Sequence, residues 1–492
     1  MSTATTPAGE LLAANRLGHE LASSVGGMPV PGEGPLLRVV DPATEVVIAE
    51  FADGTASLVD QAVGVAAQAQ PAWARAGAVH RAEVMFAIAA RLRAEVEPLA
   101  ELESLDSGKP LPQAMTDVIT AARYFEFYAG AADKFYGDAF EQPTGFAYTR
   151  YEPIGVVGVI TPWNSPISQL ARSLAPAQAM GNSVVAKPSE LTPLSSLVLS
   201  RLCDEAGLPP GLVNVVLGAG PTVGRELVEH PQVGHVSFTG SVATGRQIAS
   251  AAGSLIKSVS LELGGKSPTI VLEDADLDAA AAAGAMAVIR NAGQSCFATT
   301  RMVVVESVHD ALIDRMRRCF DGLTIGPGRT SPDVGPLVSA VQRQRVLGFI
   351  ERAVDDGAVL ANDVSLPVPE RGYYVRPHLL CGVHNDFEVA QEEVFGPVQS
   401  VIRVADEEEA LAVANASRYG LAAGVFTASI TRAHRLAAAL QAGQVHVNRF
   451  PAGGVDTAFG GFKESGLGRE KGLAALHHYA QLKTVLVDLG QN

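Results

Sequence analysis

The chain has 492 residues, 47% of them hydrophobic, and its 37 basic and 52 acidic side chains leave a formal net charge of -15. That balance argues against a nucleic-acid binder, and the apolar content excludes a disordered chain, because it suffices to bury cores in about three structural units. The 49 Gly and 29 Pro stay near ordinary usage, which excludes collagen-like and low-complexity classes.

Residues 1–30, rich in small polar side chains, are expected to form a poorly ordered arm. They lack the basic-then-apolar order of a signal peptide. No run of about 18 uninterrupted apolar residues occurs, so no membrane-spanning helix is expected. From Ser57 to about Val96 the apolar spacing is helical, and after the interruption at Pro110 to Pro112 a second helical run continues from Met115 to Ala131. Strand-like alternation begins near Ala147 to Arg150. Gly155 to Ile160 is a continuous β-branched run of the kind buried in parallel sheets. Strands at Ser183 to Ala186, Val213 to Leu217, His235 to Phe238 and Thr269 to Leu272 then alternate with helices, the βαβ rhythm of a doubly wound sheet. A second series at Arg301 to Glu306, Gln399 to Val404 and Gln444 to Asn448 implies a second α/β domain. The segment Leu482 to Val487 is a strand without an obvious local partner, expected to add to an edge elsewhere, on a neighbouring subunit. The adjacent His477 and His478 are expected as surface helix residues rather than metal ligands.

The four cysteines, Cys203, Cys296, Cys319 and Cys381, are far apart and outside zinc spacings. A reduced, cytoplasmic protein without a metal site is therefore expected. Cys203, Cys319 and Cys381 read as small buried hydrophobes. Cys296 differs, since it follows the helical run Asp278 to Ile289 in a small, polar context. Glu262 is a carboxylate inside an apolar segment running into Gly264 and Gly265, where burial would raise its pKa toward that of a general base. Asn164 lies on a turn bounded by Pro162 and Pro166, and reads either as an amide donor or as a turn-forming residue. Three turns follow predicted strands. The run from Gly218 to Gly224 misses a dinucleotide fingerprint by one residue. The turn from Phe238 to Gly245 opens a helix whose N-terminus and Ser241 hydroxyl could hold a phosphate. Lys187-Pro188-Ser189-Glu190 offers a cation and a carboxylate suited to a ribose diol. Each reads equally well as an ordinary strand-to-helix turn.

Taken together, Pro162-Trp163-Asn164, Lys187-Pro188-Ser189-Glu190, Phe238-Thr239-Gly240-Ser241, Glu262-Leu263-Gly264-Gly265-Lys266, Gly293-Gln294-Ser295-Cys296 and Glu393-Val394-Phe395-Gly396-Pro397 resemble the ordered motif set of the aldehyde dehydrogenase superfamily. The resemblance runs from about residue 35 to the C-terminus and includes Phe459-Gly460-Gly461-Phe462-Lys463-Glu464-Ser465-Gly466. It implies an α/β protein with a doubly wound parallel-sheet NAD-binding domain (31–133 and 152–262), a second α/β catalytic domain (263–476) and a small β oligomerisation element (134–151 and 477–492). Cys296 would be the nucleophile, Glu262 the base, and Asn164 with the Cys296 backbone N–H the oxyanion hole. Cofactor contacts would come from Thr161, Pro162, Trp163, Lys187, Ser189, Glu190, Gly220, Gly224, Phe238, Gly240, Ser241, Leu263, Glu393 and Phe395. A carboxylate at Glu190 accepts from both ribose hydroxyls and repels a 2′-phosphate, so NAD is expected, with NADP less favoured.

The substrate implied is a small-molecule aldehyde, oxidised to its acid through a thioester that water hydrolyses. Coenzyme A acyl transfer is the nearest alternative chemistry, and superfamily members that perform it generally lack the glutamate found here as Glu262. A catalytically silent member is the alternative of another class, countered by the intact Cys296, Glu262 and Asn164. Arg172 and Ser165 stand where relatives acting on aliphatic aldehydes carry aromatic residues, which predicts a polar mouth. Phe297, Phe450 and Phe459 could line an aromatic-aldehyde pocket, with Arg172 bonding a ring substituent. The expectation is thus an aromatic or polar aldehyde. The alternative is a semialdehyde held by Arg172 and Arg290 as a carboxylate clamp, although Gly453 and Gly454 stand where such enzymes usually offer serine. A homodimer or homotetramer is expected.

Overall fold

The computed structural model describes residues 7–451 and 453–490. Two large sheets organise it. The first places its strands in the order Gly466–Leu467, Ser258–Glu262, Val233–Thr239, Val156–Ile160, Ser183–Lys187, Val213–Val215, Ser23–Val25 and Met28–Val30. Its central five are parallel. Val156–Ile160 and Ser183–Lys187 are buried along their whole length, the consequence of helices covering both faces of a parallel sheet. The second sheet runs Val359–Leu360, His378–Cys381, Val398–Val404, Arg301–Val305, Pro268–Val271, Ala422–Phe426 and Gln444–Val447, parallel except at the Val359–Leu360 edge.

Several expectations need correcting. Residues 1–6 of the expected arm lie outside the described residues, but Pro7–Ala14 is helical and Ser23–Val25 pairs antiparallel at Ser24 with Val215. The arm therefore closes the edge of the first sheet, and the Ser23 hydroxyl accepts from Leu217 N at 2.9 Å. The helical stretch from Ser57 to Val96 is divided into Ala56–Arg75 and Ala78–Ala94. Gly77 separates them at φ +84°, a left-handed conformation that glycine adopts without a Cβ clash. Strand Ala480–Asp488 needs no neighbouring subunit to pair: it runs antiparallel to Gly145–Pro153 of its own chain, with Leu482 opposite Tyr151. Ala139–Gln142 completes that three-stranded sheet. His477 and His478 lie on a 3-10 helix, Leu473–Tyr479, with His477 exposed as expected and His478 half-buried. The His477 ring packs 4.8 Å from Phe135 and 5.5 Å from Tyr151, while His478 Nε2 accepts from Arg469 N at 2.9 Å.

The helical layer is fastened to the first sheet's covering helix through Trp73. Its ring is buried in the largest core cluster and its indole N–H donates to Gln178 O at 3.0 Å. Among the described residues no helix is long and apolar enough to cross a membrane. Trp73→Ala should lower unfolding stability by about 3–5 kcal/mol, through lost burial and an orphaned carbonyl, read as a shift in denaturant midpoint. An unchanged midpoint would remove Trp73 from the fastening.

Candidate active site

Cys296 is presented by a turn the helical periodicity does not announce. Asp276 caps helix Leu277–Ile289, accepting from Asp278 N and Ala279 N at 3.0 Å each. The helix then breaks: Asn291, Ala292 and Gly293 take φ of +50°, +52° and +73° in succession. A Cβ on Gly293 would lie 2.1 Å from Gly396 O, so only glycine fits this approach. Asn291 Nδ2 donates to Asn164 O at 2.9 Å, and Asn164 Nδ2 donates to Gln294 O at 3.0 Å. This reciprocal clasp ties the Asn164 turn to the loop two residues before Cys296. Asn164 Oδ1 is buried without a partner.

The clasp opens on a cavity of about 720 Å³ whose lining includes Asn164, Cys296, Phe297, Phe459, Arg172, Arg290 and Lys471. Burial pushes the Cys296 thiol up to about 12; Arg172 opposes this, and Glu393 and Glu262 add to it. Glu262 ends strand Ser258–Glu262, is 2% exposed, and neither carboxylate oxygen has a hydrogen-bond partner. Burial therefore raises its pKa well above the usual carboxylate range, against the pull of Arg172.

Across Thr239 a second cleft, of about 750 Å³, lies at the carboxyl ends of the first sheet's strands. Thr161, Pro162, Trp163, Lys187, Ser189, Glu190, Gly220, Gly224, Phe238 and Gly240 line it. Lys187 is buried and donates to Glu190 Oε2 at 3.0 Å, leaving Glu190 half-exposed to the cleft. A side chain on Gly220 or Gly224 would meet nothing within 4 Å. The floor is thus bare backbone beside open space, a shape suited to a pyrophosphate. Ser241 caps helix Val242–Ser254, accepting from Thr244 N at 3.2 Å. Ser241 and three further expected residues, Leu263, Glu393 and Phe395, stand outside the lining. Leu263 is packed against Gly245. Glu393, pushed up to about 7 by burial, accepts from Gly265 N at 3.2 Å. Phe395, at φ +57°, sets its ring edge-on to Trp163 with 5.1 Å between centroids.

The substrate-side expectations divide. Phe297 and Phe459 face the cavity with centroids 6.0 Å apart, and Phe450 stands behind Phe297 at 5.7 Å. Arg172 is not a residue of the mouth. It is 4% exposed, ion-paired through Nε to Glu470, and its Nη2 donates to Thr239 Oγ1 at 2.7 Å. Its guanidinium is committed inside the protein, so a clamp made with Arg290 is corrected to Arg290 without Arg172. Arg290 itself forms no ion pair among the described residues. Sequence reasoning missed Glu470 and Lys471. The available signal was three consecutive charges, Arg469-Glu470-Lys471, set between Gly468 and Gly472 in an otherwise small and apolar tail.

The sequence pattern of the aldehyde dehydrogenase family matches residues 30–485. A protein named betaine aldehyde dehydrogenase from Mesorhizobium japonicum is 44% identical over 463 residues, 93% of this chain and 95% of its own. Among solved structures, an aldehyde dehydrogenase from Bacillus cereus in complex with NAD+ is 38% identical with a TM-score of 0.93, over 96% of this chain and 97% of that one. An NAD-dependent aldehyde dehydrogenase from Sinorhizobium meliloti is 35% identical with a TM-score of 0.93, over 97% of each chain.

Removing one member of a buried ion pair leaves an uncompensated charge, whereas removing both is far better tolerated. Arg172→Leu should therefore cost about 3–5 kcal/mol of stability by chemical denaturation, and the double variant with Glu470→Leu should recover most of that loss. Additive losses in the double variant would mean that the two side chains are not coupled.

Proposed function

This chain belongs to the aldehyde dehydrogenase family, and we propose that it oxidises a polar aldehyde to the carboxylic acid with NAD, through a thioester on Cys296 that water hydrolyses. The observation that carries this reading is the Asn164 to Gln294 clasp, which sets an amide donor near Cys296, among the described residues the one cysteine lining the 720 Å³ cavity. Cys296 Sγ adds to the aldehyde carbon, and the carbonyl oxygen becomes an oxyanion received by Asn164 Nδ2 and the Cys296 N–H. One such donor is worth about 100- to 1,000-fold in rate. NAD, when bound in the second cleft, supplies the two-electron acceptor for the thiohemiacetal carbon. The bare glycine floor and the half-exposed Glu190 support that cofactor over NADP, because a 2′-phosphate would meet a carboxylate. Glu262 then takes a proton from the water that attacks the thioester. Its raised pKa leaves it protonated at low pH, so the basic form, and with it deacylation, grows as pH rises.

For the substrate, the balance of charge supports an anionic far end. Of the cations lining the cavity, Lys109 pairs with Asp117, Arg172 with Glu470 and Arg123 with Glu126. Away from Cys296, Arg290 and Arg449 have no ion pair among the described residues, against one such lining carboxylate, Asp456. Betaine aldehyde, named for the relative, ends in a trimethylammonium group, which proteins hold over free aromatic faces. Here Phe459 already has Arg172 at 5.6 Å and Lys471 at 4.8 Å from its centroid. The semialdehyde alternative is therefore favoured, with Arg290 as the donor to its carboxylate. We also assign the three-stranded sheet to subunit contact, as a dimer or tetramer, since its strand Ala480–Asp488 leaves Leu482 and Leu486 exposed.

Two tests separate chemistry from specificity. Cys296→Ala should abolish NADH formation and keep NAD binding, while Glu262→Gln should release a single burst of NADH and leave the acyl group on the Cys296 peptide by mass spectrometry. Steady turnover by Cys296→Ala would sink the mechanism. On wild type, carboxylated aldehydes should exceed their uncharged analogues of equal length in kcat/KM, and betaine aldehyde should rank below both. Arg290→Ala should erase about ten- to a hundredfold of the preference for the carboxylated aldehyde, as expected for a charge-assisted hydrogen bond. An undiminished preference in that variant would return Arg290 to a structural role.

A further inference from the structure

Two cations stand against the Phe459 ring, and they differ in one respect. Arg172 is answered by Glu470, whereas Lys471, half-buried with its Nζ 4.8 Å from the ring centroid, has no ion pair or hydrogen bond among the described residues. The ring itself packs 6.0 Å from Phe297, the residue that follows Cys296. Lys471 and Cys296 line the same cavity. The backbone delivering Lys471 is held in an unfavourable conformation, φ +59°, which a lysine does not prefer. Bonds on both sides enforce it: Glu470 N donates to Phe459 O at 2.7 Å, Phe459 N to Glu470 O at 2.6 Å, Gly472 N to Val455 O at 2.8 Å, and Tyr128 OH to Gly472 O at 3.0 Å. Backbone strain of this kind persists where its surroundings over-determine it, and such residues cluster at functional sites.

We propose that Lys471 is the counter-ion of the Cys296 thiolate, a positioning residue that holds an ammonium beside the sulfur before the aldehyde arrives. On ionisation the Sγ proton leaves to solvent and Lys471 stays protonated, so the pair exchanges no proton. The groups facing Lys471 are Arg172 from helix Pro166–Ala179, Glu262 from the end of its strand, Cys296, its neighbour Glu470, His446 from strand Gln444–Val447 and Asp456 from the cavity loop. Burial brings Lys471 down to about 8, with Arg172 lowering it further and Cys296, Glu262 and Glu470 raising it. Below that pH the ammonium is present and favours the thiolate; above it the charge is lost, and the gain in thiolate with pH flattens.

The inference rests on reading Cys296 as the nucleophile, but its test is independent of turnover. Full-length enzyme without cofactor is treated with iodoacetamide, the S–C bond forming as the C–I bond breaks and iodide leaves. Mass spectrometry of the Cys296 peptide separates it from Cys203, Cys319 and Cys381. Lys471→Met should slow Cys296 alkylation at neutral pH about tenfold, the effect of one nearby opposite charge. Lys471→Arg should restore the neutral-pH rate and abolish the flattening near pH 8 expected of the wild type, because guanidinium stays charged. Wild-type rates in Lys471→Met, or a flattening that persists in Lys471→Arg, would overturn the proposal. Should Lys471→Met fail to fold, the Lys471→Arg profile decides alone. Failure here with Cys296→Ala inactive refutes only the counter-ion; turnover in Cys296→Ala refutes the nucleophile itself.

Discussion

The candidate active site hangs on the buried ion pair of Arg172 and Glu470. Arg172 comes from the helix that follows Asn164, and Glu470 from a turn almost three hundred residues later, so a single electrostatic contact registers the first sheet against the tail of the chain. Its reach is extended by hydrogen bonds. Arg172 also donates to Thr239 at the carboxyl end of its strand, and Glu470 Oε1 accepts from Ser237 at 2.8 Å and Ser173 at 3.3 Å. Such pairs contribute little net stability over apolar substitutes, but a broken one is costly, which makes them effective at specifying one arrangement. Here the arrangement specified is the wall between the cavity that holds Cys296 and the cleft that holds Glu190.

Desolvation sets the chemistry on either side of that wall. Glu262, Glu393 and Cys296 all have pKa values raised first by burial, each group then corrected by neighbours. A carboxylate with no hydrogen-bond partner on either oxygen, such as Glu262, is an unfavourable thing to bury. It is tolerable as a neutral acid and becomes reactive when it must ionise. The glycines keep this enclosure tight: Gly460 approaches within 2.8 Å, at its would-be Cβ, of Glu262 Oε1, and Gly264 within 2.2 Å of Glu393 Oε2. Reactivity and close packing are thus two aspects of the same dehydrated surroundings.

Much of the fold was legible because its signals are local. Buried parallel strands such as Gly155 to Ile160 show as uninterrupted β-branched runs, and the expected strands Ser183 to Ala186 and His235 to Phe238 lie within the observed ones. The turns that line the second cleft were visible for the same reason, each being a short turn attached to one strand. What failed was the reading of long-range partners. The arm's strand at Ser23 pairs across a gap of nearly two hundred residues, and the tail strand turns back on Gly145–Pro153. Periodicity reports that a segment is a strand and says nothing of the edge it joins.

The same limit governs the site. Sequence by itself determined the reactive types and their local settings: a cysteine in a small polar loop, a glutamate running into two glycines, an asparagine on a proline-bounded turn, and a carboxylate at Glu190 just past a strand. Tertiary structure alone decided what each charge meets. Arg172, which reads as a polar residue at the mouth, is claimed by Glu470, and Lys471, unremarked in a charged triplet, is brought to the cavity without a partner. Charge identity is a property of one residue, whereas neutralisation depends on two residues and the path that folds between them.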